Sequence, residues 1–334
     1  MGYHKLTEYI HRLIRTKGVM RSLIASVVLI VLIFVFSVRD PLFGGYYNVS
    51  NILNSIAPIL LVGIGQSIVL ISGHIDLSIG TTVGISSMMS ATLMTHGMPY
   101  YFAILITLFS CGAFGLLNGI LVGRMRIPSY IATIATLILG EGITQLVAKN
   151  VDTAFVGHAA RGFRNLFFYG KFLSINNSVW IAVIIWVIML ILLSKTRTGR
   201  YVHAVGRNPV AMRVLGVKID STIDISYVIC AVCSGFAGLI LTAELGYGEM
   251  DIGNNYEIYA IAAAVIGGIT TLGGRGLLIG TAVGASLWCV LQNGLVRIGV
   301  PVAVQNVVVG VVIIFVVYLD VKARQGKSGI KRLI

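Results

Sequence analysis

The chain has 334 residues, 57% of them hydrophobic and only 11% charged, with a mean hydropathy of +0.92, where an ordinary globular domain carries about a quarter charged residues. Such a composition excludes a soluble enzyme or binding module and gives an all-α, polytopic membrane protein. The formal net charge of +13 admits a nucleic-acid surface only if the basic residues share one accessible face, and their positions along the chain decide that.

The first segment, residues 1–21, is basic (Lys5, Arg12, Arg15, Lys17, Arg21) and precedes an apolar run with no small-residue cleavage pattern after it, so it reads as a cytoplasmic start before an uncleaved anchor. Apolar stretches of roughly 17 to 25 residues span a bilayer as helices. Ten such stretches are predicted, at 22–38, 52–72, 77–94, 101–122, 130–148, 175–194, 223–243, 258–272, 277–296 and 302–319. They form one transmembrane domain, 22–320, with a cytoplasmic loop at 195–221 and a basic tail at 321–334. With both termini inside, nineteen of the twenty-five Lys and Arg fall on the cytoplasmic side. The charge is therefore topology under the positive-inside rule, and no nucleic-acid partner is expected.

Between the second and third spans lies a polar break, Ser72, His74 and Asp76, followed by LSIGTTVG at 77–84. The string LLIGTAVG at 277–284 agrees with it at six of eight positions and follows a break of its own, GGRG at 273–276. Internal repeats with interrupted helices are common in transporters and point towards the substrate route; chance likeness between short Gly- and Val-rich strings is the plain alternative. Further on, Glu141 sits in mid-span, and an ionisable group there is expensive and usually functional. The uncharged Gln66, Ser78, Asn118, Gln145, Gln292, Asn293, Gln305 and Asn306 suit a path for a hydroxylated solute and suit hydrogen bonding between helices equally well. Gln66, Ser72, His74, Asp76, Ser78, Asn118, Glu141, Gln292 and Asn293 are taken as candidates for lining the pathway.

The outer loop 149–174 is too small to be a recognition domain. The outer loop 244–256 is acidic, and Glu244, Glu249 and Asp251 are candidate docking residues for a partner outside the cell, or simple markers of the outer face. Residues 195–218 carry six Lys or Arg and no acid, yet the second half alternates charge with apolar residues. Asn208 suits an N-cap, Pro209 a first turn and Gly216 a helix end. Val210, Val214 and Val217 share one face with Ala211 and Leu215 beside it, and Arg213 lies opposite. Such a short amphipathic helix needs a groove in a partner or a membrane surface. Cys230 and Cys233 have a redox or metal spacing, but inside a span with no other ligands they read as packing, and no metal site is expected. No phosphate loop of the G-x-x-x-x-G-K-[ST] type occurs, nor H-E-x-x-H or G-x-S-x-G. His74 and Asp76 with Ser72 and Ser78 are the nearest approach to a catalytic group, and no catalytic residue is assigned.

Five ordered motifs between residues 50 and 320 resemble the permease subunits of bacterial ATP-binding-cassette importers for monosaccharides, the ribose, galactose and xylose group. ISGHIDLS at 71–78 is similar to the family's I-S-G-G-I-D-L-S, and KTRTGR at 195–200 to K-T-x-x-G-R. AVGRNPVAMRVLGV at 204–217 is similar to A-I-G-G-N-x-x-A-A-x-x-x-G-I, while YEIYAIAA at 256–263 and VIGG at 265–268 match Y-E-L-x-A-I-A-A and V-I-G-G, with GGRG following. The resemblance implies that Asn208, Pro209, Ala211, Met212, Arg213, Leu215 and Gly216 form a coupling helix seated in an ATPase. It also implies a permease homodimer in the bacterial inner membrane, an extracytoplasmic sugar-binding protein and a cytoplasmic ATPase that binds ATP and Mg, so this chain itself needs no cofactor and is not an enzyme. Three residues depart from the pattern: His74 replaces a glycine, Glu141 stands where many relatives carry a basic or apolar residue, and Arg207 replaces glycine before the coupling helix. A secondary carrier coupled to protons through Glu141 is the alternative from another class.

Overall fold

The computed structural model describes residues 17–148, 153–156 and 160–305, together with 307, 308, 310, 311, 314 and 318. Residues 1–16, Lys149, Asp152, Asn306, most of the last predicted span and the tail 321–334 lie outside the described residues. A backbone in hydrocarbon must satisfy its own amides and carbonyls, and helices do so here throughout. They are α1 (Lys17–Arg39), α2 (Tyr46–Ile71), α3 (Ile79–Thr95), α4 (Tyr100–Gly119) running on into a π-helical turn (Ile120–Arg124), α5 (Ser129–Ala148), α6 (Asn177–Lys195), α7 (Arg197–Arg207), α8 (Pro209–Val214), α9 (Ile219–Leu245), α10 (Tyr256–Ile266) and α11 (Leu278–Arg297). Seven of these are long and apolar enough to cross a membrane: α1, α2, α4 with its π turn, α5, α6, α9 and α11.

Most of α2 and α9 is enclosed, whereas α1 turns most of its apolar residues outward and α6 lays one face on the core through Ala182, Trp186, Met189 and Leu193. Helix α9 packs against α4, α2 and α3, α3 packs against α5, and α10 lies between α2 and α11. The approach of α4 to α9 depends on glycine, since a methyl at Gly115 would stand 2.6 Å from the Ala231 Cβ. One turn on, Gly119 meets Asp224, whose carboxylate pairs with Arg124 at 2.8 Å. The small residues thus serve packing within one subunit. At the periphery, α1 holds α11 through Phe36 over Gly294 and an ion pair between Asp40 and Arg297.

Two predicted spans are shorter than the sequence suggests. Helix α3 has 17 residues. Helix α10 has only 11, because Gly268 at φ 93° turns the chain out of the helix where 258–272 reads as continuous. Before α10, strand β4 (Tyr247–Glu249) pairs antiparallel with β1 (Thr153–Phe155) and leads into a 3₁₀ turn, Met250–Gly253. This stretch descends along α3: Gly248 lies against Ala91 and Ser87, the Met250 carbonyl against Gly84, and Gly253 against Gly80. Helix α10 continues in the same direction, with Ala263 beside Gly63 and Gly267 against Gly280. The half-helix therefore starts deep in the bundle. A second small pair, β2 (Lys171–Phe172) with β3 (Ile175–Asn176), closes the loop ahead of α6.

Candidate functional site

Helix α8 forms as its sequence dictates. The Asn208 side chain accepts from the Ala211 amide at 3.0 Å, Pro209 occupies the first turn, and Gly216 ends the helix at φ 75° with its amide donating to the Arg213 carbonyl at 3.0 Å. Met212 and Val217 turn inward against the core, while Val210, Val214 and Leu215 are 74%, 84% and 73% exposed. The apolar stripe is thus split. One part anchors the helix and three bulky residues face outward with no covering partner among the described residues. Ala211 and Arg213 are exposed beside them.

Immediately before α8, the end of α7 meets both breaks of the internal repeat. Gly206 lies so close to the Ile71 carbonyl that a side chain has no room there, and the Gly274 amide donates to that same carbonyl at 2.7 Å. Arg207 donates through Nε to the Gly274 carbonyl at 3.2 Å. The end of α2, the glycine loop before α11 and the entry to α8 therefore form one junction. Nothing in the pattern of residues around Arg207 announces this, since its partners are backbone atoms distant in sequence.

The structure brings five pathway candidates together inside the bundle. Asp76 accepts from the Ser78 hydroxyl at 2.7 Å and the Ser78 amide at 2.8 Å, and its own amide donates to Gln66 at 3.3 Å. Asn118 donates to the Ser78 hydroxyl at 2.8 Å and accepts from Thr136 at 2.6 Å. Ser72 donates to the Val69 carbonyl at 2.7 Å and lies 3.2 Å from the His74 Nδ1. Gln66, Ser72, Asp76, Ser78 and Asn118 are all buried, and His74 is half-buried beside Tyr227, whose hydroxyl donates to the Ile75 carbonyl. Gln292 and Asn293 lie half-buried on the C-terminal half of α11, apart from this network.

Glu141 stands elsewhere, at a cavity of about 610 Å³. The walls come from α3 (Gly80, Thr81), α5 (Leu137, Glu141, Thr144, Gln145), the 3₁₀ turn (Met250, Asp251, Gly253) and the start of α10 (Asn254, Asn255, Glu257). The sequence reading places Glu141 and Gln145 of these on a path and Asp251 in an outer loop with Asn254 and Asn255, and it gives Glu257, Asn254 and Asn255 no role. The visible clue to those three is the Gly253-Asn-Asn255 interruption directly before an apolar half-helix. The docking candidates accordingly do not form one patch. Glu249 is in β4, where its amide donates to Ser87; the Glu244 carbonyl accepts from Tyr169 at 2.9 Å; Asp251 faces the cavity. No group of three or more His, Cys, Asp or Glu suited to a metal ion occurs among the described residues.

The model of a family described as "Branched-chain amino acid transport system / permease component" matches residues 48–317. The chain belongs to that family. It is 32% identical over 304 residues to the ribose import permease protein RbsC of Escherichia coli K12, covering 90% of this chain and 93% of the relative. It is 34% identical to the ribose import permease of Bacillus subtilis 168, covering 91% and 94%. Against the galactose/methyl galactoside import permease MglC of Escherichia coli K12 it is 30% identical, covering 88% and 92%. No solved structure matches. The resemblance seen in the motifs is thus real over nine-tenths of the chain, and this permease component is a multi-pass protein of the bacterial inner membrane.

Proposed function

We propose that the chain is the permease subunit of an ATP-binding-cassette importer for a sugar or sugar-like solute. Two copies form the pathway, an extracytoplasmic binding protein delivers the solute, and a cytoplasmic ATPase holding ATP and Mg drives the cycle. In this reading α3, the segment 247–266 and the last apolar stretch join the seven long helices to make ten crossings, with both termini in the cytoplasm. The observation that carries it is the exposed helix α8 hinged on a junction shared by both repeat breaks. A groove in an ATPase covers Val210, Val214 and Leu215. When that ATPase closes on ATP it draws α8 with it, and the pull passes through Arg207 and Gly206 to the Gly274 loop and to Ile71. Helices α3 and α11 begin just beyond those two breaks. A shift of α3 carries Gly80 and Thr81, two walls of the cavity, so a cytoplasmic displacement changes the space open to solute.

Leu215→Asp places a charge in that groove and should weaken ATPase association by about 2 kcal/mol, the scale of an interface hot spot. Copurification of the ATPase with the variant, together with its membrane insertion, checks this, and undiminished association and uptake would refute the coupling role. Uptake that needs ATP and survives collapse of the proton gradient separates this importer from a carrier using protons through Glu141, the reading favoured by that residue's place in the cavity.

A further inference from the structure

The cavity is acidic. Glu141, Asp251 and Glu257 line it, joined by Gln145, Asn254 and Asn255, and among the described residues no Lys, Arg or His shares the lining. Glu141 and Gln145 are exposed in the single chain, and among the described residues Glu141 has neither a hydrogen bond nor an ion pair. Ionised groups at such depth tolerate a water-filled or ligand-filled space but not lipid. Two of the acids have a local use. Glu257 stands in the first turn of α10 and Asp251 in the first turn of the 3₁₀ helix, where negative charge answers the free amides of a helix start. Glu141, midway along α5, has no such use, and it lies within Coulombic reach of Glu257.

A second observation points to a ligand. Thr81 and Thr281 occupy equivalent positions in the two repeat strings. The Thr281 hydroxyl is matched to Ser67 at 2.8 Å, whereas Thr81, 8% exposed and on the cavity wall, has a buried hydroxyl with no hydrogen-bond partner among the described residues. A buried hydroxyl left unpaired is costly, and a solute group reaching this wall would offer it a partner.

We propose that this cavity selects a polyhydroxylated solute bearing a positive charge, an amino sugar or a comparable cationic polyol, with Glu141 as the residue that sets the charge preference. The amides and Thr81 meet hydroxyl groups and the carboxylates meet the ammonium, while a carboxylated or phosphorylated sugar is repelled. The inference rests on the reading of the chain as a sugar permease and narrows its substrate class.

The test is equilibrium binding to the full permease in lipid nanodiscs with three probes of one shape: glucosamine, protonated at neutral pH, glucose and glucuronate. Glucosamine should bind roughly tenfold tighter than glucose, with glucuronate weakest. Glu141→Gln should bring glucosamine and glucose to similar affinity, and Glu141→Arg should reverse the order of glucosamine and glucuronate while the melting temperature of both variants stays at the wild-type value. No glucosamine binding, equal binding of glucosamine and glucose to the wild type, or a preference that survives Glu141→Gln, would overturn the proposal. Binding needs no ATPase, so loss of ATP dependence in uptake counts against the importer reading alone, and loss of the charge preference counts against this proposal alone.

Discussion

The two repeat strings open α3 and α11 with nearly the same residues, yet the breaks before them are held in opposite ways. The first is fixed by side chains: Asp76, Ser78, Asn118 and Thr136 form a buried relay that ends against Gln66. The second has no such relay among the described residues. Its glycines adopt positive φ, and the loop is held through its backbone carbonyls and amides by Ile71, by Arg207 from the end of α7 and by Thr270 at its own start. Satisfied buried networks rigidify the place they occupy, whereas a glycine loop without such a network opens at lower cost. One break is a fixed footing and the other a movable joint.

The most damaging way to break that contrast is to remove the contact both breaks share. Gly206→Val drives a side chain into the Ile71 carbonyl, an overpacking cost of about 3 kcal/mol, and should abolish uptake and lower the yield of folded protein. Normal uptake would mean the junction is not closed in the working protein. Asp76→Ala leaves the amide and hydroxyl of Ser78 without their acceptor in a buried site, costing about 2 kcal/mol; thermal unfolding in detergent should show it, with the ATP consumed per solute unchanged. Arg207→Gly should do the reverse. Its stability should stay within about 0.5 kcal/mol of the wild type, while ATP hydrolysed per solute moved rises roughly fivefold, the scale of a coupling energy near 1 kcal/mol. If Asp76→Ala uncouples and Arg207→Gly merely destabilises, footing and joint have been exchanged.

The smallest expected effect lies away from both breaks. The hydrogen bond from Arg297, helped by that from the Leu42 amide, holds the Asp40 carboxyl below its usual range. A carboxyl lowered in the folded state stabilises above its unfolded pKa and loses that contribution as pH falls through the lowered value. Attachment of α1 to α11 should therefore weaken only in strong acid, and the melting temperature of Asp40→Asn should lose part of the acid dependence that the wild type shows.

Much of this was legible in the residues. Asn208, Pro209 and Gly216 mark α8 because capping chemistry is local, and the break at Ser72 to Asp76 is visible because polar residues interrupt an apolar run. The inward turn of Val217 was not legible, since an apolar residue in a membrane protein is equally at home against lipid, a partner or the core. The shortening of span 258–272 into α10 and a loop depended on positive φ at Gly268, and glycine alone does not report its dihedrals. The residues alone leave the burial of Gln66, Asp76 and Asn118 undecided for a related reason: a polar side chain that lines a channel and one that bonds a neighbouring helix have the same identity and spacing. Asp251 reads as an outer-loop residue because nothing in its neighbours says that the loop descends beside α3.

All four cysteines, Cys111, Cys230, Cys233 and Cys289, are free and buried, and Cys230 is pressed against Gly65 where α9 crosses α2. Thiol reagents attack an accessible thiolate, so the unmodified chain is silent to them while the bundle stays shut. Alkylation of Cys230 then becomes a clock for the parting of α2 from α9. Should ATP turnover by the assembled transporter quicken that clock, the central helices themselves separate in each cycle; should it leave the rate untouched, solute passes while the core of the bundle remains closed.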